Sequence, residues 1–145
     1  GFQLIDVKAT VVGGSTHETD ASEVAYKIAA SLAFKDAVQK AGAVLLEPVM
    51  AAEVVTPDAY MGSVIGDLSA RRGQVFGVET DGHFQIIRAR VPQKELHHYS
   101  TVVRSLTGGR GRHAEQFDHY AELPAEAAQR VIAERVKRNG AEAAK

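Results

Sequence analysis

Cysteine is absent from the 145-residue sequence, which excludes a disulfide framework, a thiolate zinc site and a cysteine nucleophile together. No apolar run reaches the roughly 20 residues that a membrane-spanning helix needs. The first residues also lack the basic start and apolar middle of a secretory signal. The chain reads as soluble, with no membrane partner, and the lack of thiols fits a reducing cytoplasm. A surplus of one charge is missing too. The formal net charge is −1, unlike the strongly basic balance of a free-standing nucleic-acid binder that neutralises many phosphates. Any RNA contact must be local. What is present is globular: 45% hydrophobic and 24% charged residues argue against wholesale disorder. The length suits one domain, or a small domain with a piece of another.

Residues 2–12 place Leu4, Asp6, Lys8 and Thr10 in alternation with Ile5, Val7, Ala9 and Val11, the period of a half-buried strand. Gly13 and Gly14 end it. A polar loop then leads to Asp20, which is expected to cap a helix over residues 21–39, with Glu23 as capping-box partner. Val24, Ile28 and Leu32 recur every four residues beside Ala25, Ala29 and Ala33, a face suited to close packing. Gly42 stops the helix.

A second unit begins near Val44. Residues 45–55 are rich in strand formers, with Pro48 marking an edge, a bulge or the crossing between units. Thr56 and Pro57 predict a helix start, N-cap and first position. That helix would run to Arg72, with Met61, Val64, Ile65 and Leu68 on one side and Gly73 as a left-handed stop. Strands over 74–79 and 83–91 are joined at Asp81 and Gly82 by a hairpin signal. A helix over 92–106 presents Leu96, Tyr99, Val102, Val103 and Leu106 inward. A strand over 113–119 and an amphipathic helix over 124–137 complete the pattern.

The second unit therefore reads strand, helix, strand, strand, helix, strand. That is the order of an α+β, ferredoxin-like sandwich, a four-stranded antiparallel sheet with helices on one face. The first unit has only a strand and a helix, too little to bury its own apolar face, and reads as the remnant of another α+β domain. Fold alone does not give function.

Chemistry-bearing motifs are few. The six histidines lack HExxH spacing, and adjacent His97 and His98 would point to different sides of a helix, so no metal is expected. No GxSxG elbow accompanies the serines. Gly108-Gly109-Arg110-Gly111 follows a helix and precedes a strand, opposite to the order that puts phosphate at a helix N-terminus. No cofactor and no enzyme activity are expected of these residues. Arg104, Arg110 and Arg112 do cluster around the glycines, and Arg71 and Arg72 end a helix where cations suit the dipole. His17 alone reads as a solvated loop residue, and the arginine turn equally as a solvated C-capping loop.

Longer stretches carry a resemblance. Gly14-Ser15-Thr16-His17-Glu18-Thr19-Asp20-Ala21-Ser22-Glu23 with Ala25-Tyr26-Lys27-Ile28-Ala29 is similar to the end of the fourth domain of elongation factor G. Leu46-Glu47-Pro48-Val49-Met50, and Thr56-Pro57-Asp58-Ala59-Tyr60-Met61-Gly62-Ser63-Val64-Ile65-Gly66-Asp67-Leu68-Ser69-Ala70-Arg71-Arg72-Gly73, resemble the opening of its fifth. Leu106-Thr107-Gly108-Gly109-Arg110-Gly111 follows in the family's order. The resemblance implies that residues 1–43 are the back of domain four, 44–122 the ferredoxin-like domain five, and 123–145 a C-terminal helix and tail.

It implies further that the intact factor is a cytoplasmic GTPase, with GTP and magnesium held elsewhere, that drives tRNA and mRNA through the ribosome. Gly13, Gly14, Ser15, Thr16 and His17 would form the tip that reaches the decoding centre beside A-site tRNA and mRNA. There an imidazole can stack on a base or donate to a phosphate. Arg104, Ser105, Thr107, Gly108, Gly109 and Arg110 would face the sarcin-ricin loop of ribosomal RNA, gripping its backbone by shape. Ala21, where many members have serine, and Arg112-His113-Ala114-Glu115-Gln116 depart from the pattern and also fit a paralogue acting in ribosome recycling. A regulatory ferredoxin-like module that binds a small molecule or self-associates is the alternative of another class. In either case a strand over 2–12 without its partners would pair through its edge with a neighbouring molecule or be poorly ordered.

Overall fold

The computed structural model describes residues 2–19 and 21–143, with side chains as far as Lys137. It divides into two compact units, after Ala43. Among the described residues no helix is long and apolar enough to cross a membrane.

The first unit is built on one helix, α1 (Glu23–Lys40). Its cap is Ser22, whose hydroxyl accepts from the Ala25 N–H at 3.2 Å, so the helix starts later than the spacing predicted. Asp20, the expected cap, lies outside the described residues. Glu23 is drawn to Lys27 at 2.6 Å rather than back to a cap. Ala41 and left-handed Gly42 end the helix, as read from the sequence. None of the helix's residues is buried, so the Val24, Ile28 and Leu32 row stays uncovered within this unit.

Residues 2–12 correct the sequence reading. None of them belongs to a strand, because a strand is completed by the backbone groups of a neighbour, and no ladder to this segment is formed among the described residues. Alternating polarity supplied a face without a partner, and Val11 and Val12 are 93% and 96% exposed. Among the described residues, the segment therefore forms no strand within the chain itself.

In the second unit, β1 (Leu46–Pro57), α2 (Met61–Ala70), β2 (Gln74–Asp81), β3 (Phe84–Pro92), α3 (Tyr99–Leu106), β4 (Arg112–Glu122) and α4 (Ala125–Ala143) follow in order. The sheet order is β2-β3-β1-β4 with every neighbour antiparallel, the α+β, ferredoxin-like arrangement predicted. Met50, Ala52 and Val54 of β1 and Ile87, Ala89 and Val91 of β3 alternate onto one face. There Val64 and Leu68 of α2 and Leu96, Tyr99 and Val103 close the core. Each of the larger aliphatic side chains among them contributes about 1.5–3 kcal/mol relative to exposure. The opposite face carries charge in pairs, Arg88 to Glu53 at 3.1 Å and Arg90 to Asp118 at 3.0 Å.

Several boundaries move for identifiable reasons. Thr56 and Pro57 do not start a helix; they finish β1, opposite Gln85 and Phe84, with Thr56 buried. A 3-10 turn, Asp58–Tyr60, intervenes before α2. Pro48 sits where β1 pairs with β4 alone, before the β3 ladder begins at Val49, next to a register shift. A residue without an N–H is tolerated there. At the end of α2 the left-handed residue is Arg72, at φ 61°, not Gly73. Gly73 donates to the Leu68 carbonyl at 2.8 Å and Arg72 to that of Ser69 at 3.1 Å, a Schellman closure. A Cβ on Gly73 would lie 2.5 Å from that Leu68 oxygen, so close approach explains the glycine. The expected helix over 92–106 is two pieces. A 3-10 turn, Gln93–Leu96, breaks at left-handed His98 before α3, which lets both Leu96 and Tyr99 point inward. His97 and His98 accordingly do not diverge on a helix; their ring centroids are 3.9 Å apart. β4 is longer than predicted and bulges at Asp118, between the Val49 and Met50 pairings.

His113 on β4 stands edge-on to Tyr99, with centroids 5.0 Å apart. Burial pushes its imidazole below the ordinary histidine range, and Glu115 pulls weakly the other way. A histidine harder to protonate folded than unfolded gives stability that is complete above its unfolded pKa, about 6.5, and that is lost as pH falls below it. Thermal melts at stepped pH should therefore show the melting temperature falling between about pH 7 and 5, with a shallower fall in His113→Gln. Parallel curves for the two proteins would rule this out.

Candidate nucleic-acid interface

The α3–β4 turn is built from the helix outward. Tyr99 and Val103 are buried against the core, so helical spacing turns Arg104 and Ser105 to solvent. Thr107 then closes the helix from inside. Its hydroxyl donates to the Val103 carbonyl at 2.7 Å and accepts from the Gly111 N–H at 2.7 Å, and the side chain is fully buried. The sequence placed Thr107 among the outward-facing residues. The structure corrects this, because its hydroxyl bridges the two ends of the turn. Gly108 and Gly109 follow at φ 59° and 81°, a consecutive left-handed pair that side chains resist. The Gly109 N–H reaches back to the Arg104 carbonyl at 2.7 Å.

This geometry lifts Arg110 onto the surface beside Tyr60, the last residue of the turn between β1 and α2. One guanidinium nitrogen donates to the Tyr60 hydroxyl at 2.9 Å, and the guanidinium carbon lies 5.1 Å from the ring centroid. Tyr60 was not legible as a site residue: it is 50 positions away in the chain, and no spacing rule links the two.

Pairing separates these arginines from the others. Arg71 is held by Asp67 at 2.7 Å, the Glu95 carbonyl at 2.7 Å and the Tyr99 face. Arg72 is bonded to Glu47, which holds its charged form above the ordinary range. Both are structural. Arg88 and Arg90 are paired across the sheet. Arg104, Arg110 and Arg112 are exposed, and among the described residues none of the three is in an ion pair. The turn therefore keeps its positive charge for an external anion, although the chain as a whole is near neutral. It stands at a helix C-terminus, whose exposed carbonyls repel phosphate, so the guanidinium groups must supply the attraction. For the same reason the glycines do not fit a nucleotide cradle.

Gly13, Gly14, Ser15, Thr16 and His17 are all exposed in the first unit. Gly13 and Gly14 adopt no left-handed conformation, and an added Cβ would meet nothing within 4 Å, so no tight turn demands them. His17 Nδ1 lies 2.9 Å from the Thr19 hydroxyl, and the His17 carbonyl accepts from Ala21 at 3.1 Å, which fixes the turn before α1.

Elsewhere in the second unit, an open groove of about 1240 Å³ has both acidic side chains, Glu47, Glu95 and Glu134 among them, and basic ones, Arg72, Lys94 and Arg130, in its lining, so its charge is mixed. Among the described residues, no three His, Asp or Glu side chains are placed to hold a metal.

Comparison with known proteins places these turns in a wider frame. Residues 1–42 match the family model for elongation factor G, domain IV, and residues 44–131 match that for the elongation factor G C-terminus. Elongation factor G of Ureaplasma urealyticum serovar 10 is 51% identical over 138 residues, 95% of this chain and 20% of that protein. Its Aquifex pyrophilus counterpart is 48% identical over 136 residues, 94% of this chain and again 20% of the relative. A crystal structure from Thermus thermophilus superimposes with a TM-score of 0.75 at 44% identity, covering 86% of this chain and 19% of that one. The chain thus spans about a fifth of the length of the relatives it matches.

Proposed function

Since the chain belongs to the elongation factor G family, we propose that it is the ribosome-binding C-terminal part of a translational GTPase that promotes GTP-dependent movement of tRNA and mRNA. In this reading residues 1–43 end domain four, 44–122 form domain five and 123–145 are its C-terminal helix and tail. In the same reading GTP and magnesium are held by another part of the full-length protein; the Gly108-Gly109-Arg110-Gly111 turn follows a helix, the wrong end for a phosphate cradle. This chain's own work is contact with the ribosome.

The observation that carries the reading is the set of exposed, unpaired arginines on a turn fixed by buried Thr107. Guanidinium groups match phosphate oxygens two at a time, and a rigid turn meets a folded RNA backbone by shape rather than by base sequence. The sarcin-ricin loop is such a surface. Arg104 and Arg110 bind its phosphates, Ser105 adds a hydroxyl, and Gly108 and Gly109 let the RNA approach the backbone. The exposed turn that carries His17 contributes the second contact, beside A-site tRNA and mRNA, where an imidazole can stack or donate.

Salt dependence tests the main contact. Each arginine on a phosphate releases counterions on binding, so the slope of log affinity against log salt falls by about 1 per arginine removed. Ribosome binding by the Arg104→Ala, Arg110→Ala double variant should be weaker throughout, with the slope reduced by about 2. An unchanged slope together with unchanged affinity would sink the reading.

A further inference from the structure

Arg110 is the one exposed arginine of the turn whose guanidinium is held by a ring. Tyr60 accepts a hydrogen bond from it at 2.9 Å, and the ring lies 5.1 Å away. The turn that carries Tyr60 is anchored from behind. The preceding Asp58 donates its N–H to the His83 carbonyl at 3.3 Å, and its carboxylate accepts from the Gln85 amide at 3.0 Å, with Gln85 buried in β3. The phenol thus reaches from a turn tied to the sheet, and its oxygen is 3.8 Å from where a Cβ on Gly108 would stand. Two turns far apart in sequence are thus brought together by this pair of side chains and the glycine beside them.

We propose that Tyr60 is a positioning residue for Arg110, holding the guanidinium in one orientation before the ribosome is met. The inference rests on the ribosomal-RNA contact argued above and adds a residue to it. A free arginine side chain samples many rotamers, and that freedom is lost when it grips a phosphate. A guanidinium already tethered through one N–H, with a ring at its side, loses less on binding and still has further N–H donors for the RNA. Tyr60 carries no charge, so it changes how well the phosphate is gripped and not how many phosphates are neutralised. That difference separates positioning from a phosphate contact of its own.

The test is a double-mutant cycle in ribosome binding, measured across salt, with wild type, Tyr60→Phe, Tyr60→Leu, Arg110→Ala and the two combinations. Tyr60→Leu should weaken binding about fivefold at an unchanged salt slope, and Tyr60→Phe, which keeps the ring, should weaken it less. In the Arg110→Ala background neither should weaken it further. Equal losses with and without Arg110, or no loss from either Tyr60 variant while Arg110→Ala weakens binding, would overturn the positioning role and leave the RNA contact standing. Unchanged binding in Arg110→Ala alone would overturn the positioning role, and unchanged binding in Arg104→Ala, Arg110→Ala as well would overturn the RNA contact. Thermal melts accompany each variant; should Tyr60→Leu melt early, the milder Tyr60→Phe carries the cycle.

Discussion

Valine at position 111 is expected to destabilise the second unit by about 3 kcal/mol and to deform the turn that presents Arg110. A Cβ at Gly111 would stand 2.6 Å from the Thr107 hydroxyl oxygen, 2.7 Å from Val103 Cγ1 and 2.9 Å from Thr107 Cγ2. None of these can retreat cheaply, since Val103 and Thr107 are fully buried and the hydroxyl is engaged at 2.7 Å on both sides. Overpacking of this kind costs about 1–3 kcal/mol, and pushing Thr107 aside leaves a buried N–H without its partner, worth about 1–3 kcal/mol more. Gly109→Ala is the control. It meets no atom within 4 Å but sits at φ 81°, so its cost is backbone strain alone, about 1–2 kcal/mol. Urea denaturation of the two variants decides the matter; a Gly111→Val loss no larger than that of Gly109→Ala would mean that the Thr107 bridge does not close the turn.

Leu68→Ala is expected to remove about 2–5 kcal/mol. Leu68 is fully buried among the apolar side chains that α2, α3 and the sheet share, and the backbone around it is pinned by the Schellman closure at its own carbonyl. That closure hinders α2 from collapsing into the vacated space, which places the loss toward the upper half of the range. Domains of this size are commonly stable by about 5–15 kcal/mol, so the variant should approach the threshold of folding. Ile28→Ala on α1 offers the contrast. Its side chain is 57% exposed, and the expected change is within about 0.5 kcal/mol. Denaturation midpoints should separate the two clearly; a Leu68→Ala loss below about 1 kcal/mol would mean that α2 is not seated on the sheet as described.

Composition and turn signals made the second unit legible. Strand formers in β1, the Asp81-Gly82 hairpin signal between β2 and β3, and Val64, Leu68, Tyr99 and Val103 at helical spacing were enough to give element order and sheet type, because the inward side chains all answer to one core. Chain ends and turns were less legible, since their outcome depends on neighbours distant in sequence. Thr56 and Pro57 carry a helix-start pattern, yet pairing with Gln85 and Phe84 keeps them in β1. Gly73 looked like the left-handed stop, but Arg72 takes that conformation, and bonding to Glu47 holds its side chain. Residues 2–12 have the polarity of a strand without the ladder. At the candidate interface, Arg104 and Arg110 could be found by their charge among glycines, whereas Thr107 resembled another polar loop residue until its burial was seen. Tyr60 had no local signal at all. The contacts that set its role close only when β1 and β4 lie side by side.

That neighbourhood has a consequence for how the protein is made. β1 is complete at Pro57, and β4, which covers one of its hydrogen-bonding sides, begins only at Arg112. During synthesis at about 5–20 residues per second, the nascent strand waits on the order of seconds with that side unpaired. Once Pro92 has been made, β3 can hold its other side, so until Arg112 follows the nascent unit is a three-stranded intermediate with the backbone edge of β1 open to pairing.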